Sequence, residues 1–315
     1  MIRKTMDIPE ENIKRFFDFV NERHAIYLRR QRQEPWPWTS NPILRNYFFT
    51  NCYRQLDKGT QWLTTNIIEP HADEQELLFF NIVVYRCHNR ISTAERIGWL
   101  TDYGPYIASC CENGMQKLAD AGVHIFTGAY MVTGSIRENG VCSKSKVHQQ
   151  FGITFPYVWN HIADLIPLPG STLEEAFNRL ALHAPGIGKF VAYEIITDLS
   201  YTLFLDKASD IYSWANPGPG CRRGLGRLIG KQVEHHYQYT IHNTQECIDL
   251  MQFLLAVSPQ YLAPYMHSDN PNMRNDIRFV EHSLCEFDKM ERVRLHEGKA
   301  RRKYINPEKR GVSNE

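Results

Sequence analysis

Apolar positions along this chain recur mostly at helical spacing. Ile13, Phe16, Phe17, Phe19, Val20, Ile26 and Tyr27 roughly follow a three-to-four-residue period. That period predicts an amphipathic helix stopping at Pro35-Trp36-Pro37-Trp38. Asn41-Pro42 opens a second helix, because proline suits a first helical turn, and this one carries Leu44, Tyr47, Phe48, Cys52, Tyr53 and Leu56. From Glu74 to His88 the chain is apolar nearly all round, which predicts a core helix. Ser92-Thr93-Ala94-Glu95 and Ser171-Thr172-Leu173-Glu174 spell capping boxes, each expected to announce a helix. Between Gly122 and Gly134 the β-prone Val123, Ile125, Phe126, Tyr130 and Val132 suggest a short hairpin. Further helices are expected over about 144–165, 172–183, 187–200, 244–257 and 275–296. The expected fold is mostly α, with at most a small β-hairpin. Residues 1–305 read as one helical unit, with lobes over about 1–170 and 171–300 around a cleft. Residues 306–315 read as a flexible basic tail.

Composition narrows the setting. The 43% hydrophobic content is ordinary for a globular chain, and no apolar run approaches the ~20 residues that span a bilayer. Met1-Ile2-Arg3-Lys4-Thr5 lead straight into the first helical pattern without an apolar signal-peptide core. Eight cysteines occur without a Cys-x-x-Cys pair, and Cys110 adjoins Cys111, which suits neither a zinc ribbon nor a disulfide ladder. A reducing, cytoplasmic compartment is therefore expected, with no membrane partner. The histidines, His235-His236 among them, lack the spacing of metal ligands, so neither a metal nor a cofactor is expected.

A net charge of +1 excludes a uniformly basic coat. Charge is uneven, however. Arg222, Arg223, Arg227 and Lys231 form one basic island, and Lys299, Arg301, Arg302, Lys303, Lys309 and Arg310 form another. Local patches of this kind are enough for phosphate contacts.

The most informative stretch runs from Leu182 through Pro185-Gly186-Ile187-Gly188-Lys189-Phe190 to Ile196. One helix ends at a Pro-Gly turn and another begins within three residues. Glycines at 186 and 188 permit a tight turn and close approach of a phosphate. The following helix aims its free N–H groups at that phosphate, and Lys189 stands at its first turn. Such a device grips backbone rather than reading sequence. The stretch is not a nucleotide-binding P-loop, because Phe190 replaces the Ser/Thr that would hold magnesium and the upstream glycine is missing.

This stretch resembles the hairpin of the helix-hairpin-helix DNA glycosylase superfamily. In that superfamily the position of Phe190 is a catalytic lysine in bifunctional members and a bulky aromatic in the monofunctional 3-methyladenine glycosylases. The resemblance also implies a catalytic aspartate about 22 positions past the last hairpin glycine, which is Asp210; Asp198 and Asp206 are neighbouring candidates. A second resemblance covers nearly the whole chain. It is carried by Glu22-Arg23-His24-Ala25-Ile26-Tyr27, Phe49-Thr50-Asn51-Cys52-Tyr53-Arg54-Gln55-Leu56-Asp57, Pro217-Gly218-Pro219-Gly220-Cys221-Arg222-Arg223 and Glu281-His282-Ser283-Leu284-Cys285-Glu286-Phe287-Asp288-Lys289. These segments are similar to the α-glutamyl/putrescinyl thymine pyrophosphorylases and the helical domain of 5-hydroxymethyluracil DNA kinases, found with phage base-hypermodification systems.

Two chemistries follow from these residues, both with modified-base DNA as the partner and no obligate protein partner evident. In the first, a monofunctional glycosylase flips out and excises a hypermodified pyrimidine, such as a glucosylated hydroxymethylcytosine or a modified thymine, leaving an abasic site. Asp210 would stabilise the sugar cation and orient water, a reaction suited to anti-phage defence. In the second, a transferase displaces pyrophosphate from a 5-pyrophosphomethyl pyrimidine with an amine. Gly186, Gly188, Lys189, Arg222 and Arg223 are the expected DNA contacts. Glu22, Arg23, Trp38, Asn51, Tyr53, Arg54, Phe190, Glu286 and Lys289 are candidates for a base pocket, or in part for ordinary interhelical salt bridges. Asp210 is also open to reading as a helix cap, and the Arg222/Arg223 segment as a surface loop. The spacing of Asp210 from the hairpin favours excision.

Overall fold

The computed structural model describes residues 8–128, 137–138, 141–142, 145–230, 240–266, 273–297 and 302–306. His235-His236, Lys231, Lys299, Arg301, Lys309, Arg310, most of the tail expected at 306–315 and the second half of the hairpin expected at Gly122–Gly134 lie outside the described residues.

The fold is mostly α. In chain order the helices are α1 (Glu10–Gln31), α2 (Pro42–Asn46), α3 (Lys58–Leu63), α4 (Gln75–His88), α5 (Ile91–Ile97), α6 (Pro105–Asp120) and α7 (Phe155–Asn160). They continue with α8 (Ile162–Leu165), α9 (Leu173–His183), α10 (Lys189–Leu199), α11 (Pro219–Leu228), α12 (Thr244–Tyr261) and α13 (Ile277–Arg294). Wide π turns follow α3 (Thr64–Ile68) and precede α7 (His148–Thr154). Two short strands, β1 (Arg137–Glu138) and β2 (Val141–Cys142), pair antiparallel. This small hairpin lies beyond the segment whose alternation suggested one. No helix among the described residues is long and apolar enough to cross a membrane.

The chain forms two compact units. One comprises residues 1–57 and 212–315, and the other 58–211. The lobe boundary expected near residue 170 therefore falls inside the second unit, because the two ends of the chain pack together. In the first unit α1, α11 and α12 pack on α13, with Phe16 edge-on to Phe287 at 5.5 Å between ring centroids. Helix α11 was expected only as a glycine turn followed by arginines. It is helical because its glycines serve close packing: a Cβ at Gly224 would stand 2.5 Å from the Leu284 carbonyl oxygen.

In the second unit α4 is the central rod, with Phe79, Phe80, Ile82 and Val83 fully buried and α10 packed against it. Its left-handed C-terminal residue, Asn89 at φ 49°, is of the residue type that tolerates that conformation. The Arg86 and Asp198 side chains meet in this core. Arg86 Nη2 donates to Asp198 Oδ1 at 2.8 Å and Nε to Asp198 Oδ2. Its remaining donors reach Thr60 Oγ1 (3.0 Å) and Asn89 Oδ1 (2.8 Å). Asp198 is thus committed in this structure to a buried contact with Arg86.

Local signals held in some places and slipped in others. The capping box at α9 is present one residue along, with Thr172 Oγ1 accepting from Glu175 N and Glu175 accepting from Thr172 N. At α5 the helix begins at Ile91, ahead of the expected box, so Ser92 sits inside it without capping. The second expected helix ends at Asn46. Beyond it Phe48 N donates to Arg302 O, Tyr304 N donates to Asn46 O, and Tyr47 bridges Lys303. This extended pairing keeps Tyr47–Phe49 out of a helix. The expected 144–165 helix is broken into a π turn, α7 and α8, with the last break at His161.

Removing one partner of a buried ion pair leaves the other charge uncompensated. Asp198→Ala should therefore lower unfolding stability by about 3–5 kcal/mol in urea denaturation followed by circular dichroism. A loss under about 1 kcal/mol would mean that the pair does not organise this core.

Candidate nucleic-acid interface

The glycine-rich stretch forms a helical hairpin. Helix α9 ends at His183, and Gly186 turns at φ 79°. Ala184 and Ile187 are buried as anchors, and Thr154 Oγ1 donates to Pro185 O at 2.8 Å. Gly188 is the N-cap residue of α10, and among the described residues it has no side-chain cap. The space where its Cβ would stand is open. Lys189 is exposed, as are Phe190 (50%) and Leu182 (74%). An exposed 11-residue helix start without a side-chain cap offers N–H groups and a positive dipole end to an anion.

The other expected DNA contacts are engaged within the protein. Arg222 donates to the carbonyls of Pro217 (2.9 Å), Ile241 (3.1 Å) and His242 (2.8 Å) and to Thr244 Oγ1 (2.7 Å). It staples the start of α11 to the start of α12. Arg223 donates to Asp288 Oδ2 at 2.9 Å, and Arg227 to Asp288 Oδ1 at 2.9 Å, around a fully buried carboxylate. Arg223 and Arg227 of the basic island are thus turned toward α13, because its buried carboxylate requires cations. Asp210 likewise serves the fold. Its Oδ1 accepts from Leu173 N at 2.7 Å and its Oδ2 from Glu174 N at 3.0 Å, across the first turn of α9.

The first unit gathers four of the nine expected base-pocket residues, Arg23, Asn51, Glu286 and Lys289, into a polar knot. Arg23 donates through Nε to Thr50 O (2.8 Å) and through Nη2 to Phe49 O (3.1 Å) and Asn51 Oδ1 (2.7 Å). Asn51 in turn donates to Leu56 O (2.9 Å) and Asp57 Oδ1 (3.1 Å). Glu286 accepts from Thr50 N (3.0 Å) and from Lys289 (3.1 Å). Burial holds the Arg23 pKa below its ordinary value and raises that of Asp57, against the opposing pull of Arg54. Tyr53 is core: its hydroxyl donates to Met266 O and Asn275 Oδ1. Arg54 is buried, and Glu22 pairs with Arg29 at 3.0 Å. Phe190 belongs to the second unit. Trp38 faces a different feature, a small cavity of about 40 Å³ lined by Arg23, Trp36, Trp38, Phe48, Phe49 and Tyr304. Of these, Trp36, Phe48, Phe49 and Tyr304 were not among the expected site residues. Aromatic clustering is their shared sequence signal; Phe49 also opens a family motif, and Tyr304 lies within the second basic island.

Residues 10–300 match the family described as 5-hmdU DNA kinase, helical domain. The chain belongs to that family. It is also 26% identical over 321 residues to the 5-hmdU DNA kinase of Bacillus phage SP10, an alignment covering 91% of this chain and 48% of the relative. The chain spans about half the length of the curated relative it matches. No solved structure matches. The family match runs through both units, so it embraces the hairpin and the polar knot alike. Among the described residues of this helical domain, no cluster of His, Cys, Asp and Glu could hold a metal ion.

Asp210→Ala in this helical domain should cost about 0.5–2 kcal/mol, the usual worth of a helix cap, read as a shift in urea midpoint. An unchanged midpoint would deny Asp210 that role. A second expectation concerns acid. His24, 1% exposed among Tyr27, Tyr53 and Tyr265, has its pKa pushed down to about 4 by burial and then by Arg23. The unfolded chain therefore takes up this proton first. Stability is complete above the ordinary value of 6.5 and is lost as pH falls toward 4. His88, pushed to about 3 by burial and then by Arg86, acts in the same direction. Urea midpoints should fall across that window, and His24→Phe should flatten part of the fall; an identical slope in the variant would remove His24 as its source.

Proposed function

We propose that this chain binds DNA through the α9–α10 hairpin and acts on a hydroxymethyluracil-type base in that DNA. The observation that carries the reading is the exposed start of α10 behind the Gly186 turn, with no capping side chain and open space at Gly188. The SP10 relative is named for a kinase acting on 5-hmdU in DNA, which supplies the substrate class. Phosphoryl transfer is not assigned to the hairpin itself, since Phe190 stands where a magnesium-holding Ser/Thr would be needed.

Base excision remains the reading with a specific residue behind it. Asp210 belongs to the same unit as the hairpin. Its oxygens accept from Leu173 N and Glu174 N, and a carboxylate is the kind of acceptor that orients an attacking water. Displacement of pyrophosphate by an amine needs cations around the leaving group. Arg23, Arg54 and Lys289 are the candidates for those cations; Arg23 and Lys289 also hold Phe49, Thr50, Asn51 and Glu286. With Phe190 rather than lysine at the diagnostic position, excision leaves an intact abasic strand and no borohydride-trappable imine.

Gly188 adopts φ −77° and ψ 170°, a conformation open to valine. Gly188→Val should therefore keep the fold while placing a branched side chain between backbone and phosphate. DNA affinity should drop about tenfold or more, equally for all sequences, and wild-type binding should weaken steeply with salt. Fluorescence anisotropy at several salt concentrations measures both. Unchanged affinity in the folded variant would make the hairpin purely architectural. Mass analysis of DNA carrying 5-hydroxymethyluracil or its derivatives then separates released base, elaborated base and untouched DNA; untouched DNA across that substrate class overturns the assigned chemistry.

A further inference from the structure

The cavity beside the polar knot is built from flat aromatic side chains. Trp36 stands edge-on to Trp38 at 5.2 Å and 86°, and Tyr304 lies nearly parallel to Trp36 at 5.7 Å and 16°. Cations sit against these rings: Arg30 at 5.2 Å from Trp38, Lys289 at 4.7 Å from Phe49 and Arg302 at 4.4 Å from Phe48. Arg23, which lines the same cavity, is 6% exposed. Its Nε and Nη2 hold Phe49, Thr50 and Asn51, yet its buried Nη1 has no hydrogen-bond partner. Buried donors are seldom left unpaired without a reason, and a guanidinium nitrogen with two N–H groups calls for an acceptor.

We propose that this aromatic cage receives a single uracil-type base, with a base carbonyl accepting from Arg23 Nη1, and that Tyr304 fills the base's stacking position when the site is empty. The proposal rests on the reading that the chain handles a hydroxymethyluracil-type base, and adds where that base sits. The cavity of about 40 Å³ has room for a water or two and not for a pyrimidine, so Tyr304 must give way. The strap that carries it pairs with the chain through Phe48 N to Arg302 O (3.0 Å) and Tyr304 N to Asn46 O (2.9 Å). A peripheral pairing of this kind opens more readily than a core element. Stacking on the Trp36 ring, in the place Tyr304 now takes, suits any base, so discrimination falls to Arg23. Uracil offers an acceptor at O4, where cytosine presents an amino donor.

The test needs no DNA. 5-Hydroxymethyl-2′-deoxyuridine is titrated into the full chain while tryptophan fluorescence is followed. The expected result is a saturable change that tightens about tenfold in Tyr304→Ala and disappears in Trp36→Leu. It should persist in Trp62→Phe, whose ring stacks on Tyr85 in the other unit. The matching deoxycytidine should bind about tenfold more weakly. No saturable change in Tyr304→Ala up to millimolar nucleoside overturns the site, as does a signal lost in Trp62→Phe but kept in Trp36→Leu. Equal affinity for the two nucleosides removes Arg23 from recognition. Failure here, with anisotropy still reporting hairpin-dependent DNA binding, would strike the cage alone; the reverse pattern would strike the hairpin reading alone.

Discussion

The bidentate pair between Arg86 and Asp198 sets the framework of the second unit. Both groups are essentially without solvent, so the desolvation of each must be met by geometry. The geometry is complete: two bonds to the carboxylate, one to Thr60 at the start of the unit and one to Asn89 at the C-terminal end of α4. Asp198 is the penultimate residue of α10. Fixing it locks the far end of the helix whose near end forms the hairpin. The pair thus holds α10 rigidly from within the core, at the end opposite the hairpin.

Cations in the first unit are spent in a similar way. Arg222 serves four oxygen acceptors, three of them backbone carbonyls, and Arg223 and Arg227 surround Asp288. The close contact of α11 on α13 depends on glycine at 224, and the arginines on either side then reach α13 instead of solvent. A basic stretch in the sequence has thus become internal cement. The cations left exposed among the described residues include Lys189 at the hairpin, and Arg30 and Arg302 near the aromatic cage.

The polar knot and the cage share Arg23. Its guanidinium closes the 49–51 turn on one side and lines the cavity on the other. The segment Glu22–Tyr27 and the segment Phe49–Asp57 are therefore one device in the fold. The family match across residues 10–300 includes that device and the α9–α10 hairpin together.

Several of these features were legible in the sequence. Unbroken apolar character marked α4, the Pro-Gly-Ile-Gly spelling marked the α9–α10 turn, and the longer motifs marked the family. Each of these depends on local periodicity, on backbone conformations open to glycine, or on linear motifs. The rest depended on residues far apart in sequence. Tyr47–Phe49 left the helical state because residues 302–304 pair with them. The glycine-rich 219–228 became a helix because α13 approaches closely enough to exclude side chains. Asp198 became a buried anion because Arg86 lies across the core, and Asp210 an α9 cap because the chain turns back after α10. In every such case the residue was visible along the chain, but its partner was 36 or more residues away. The tertiary structure alone decides which polar groups lose water and which partner must then replace it.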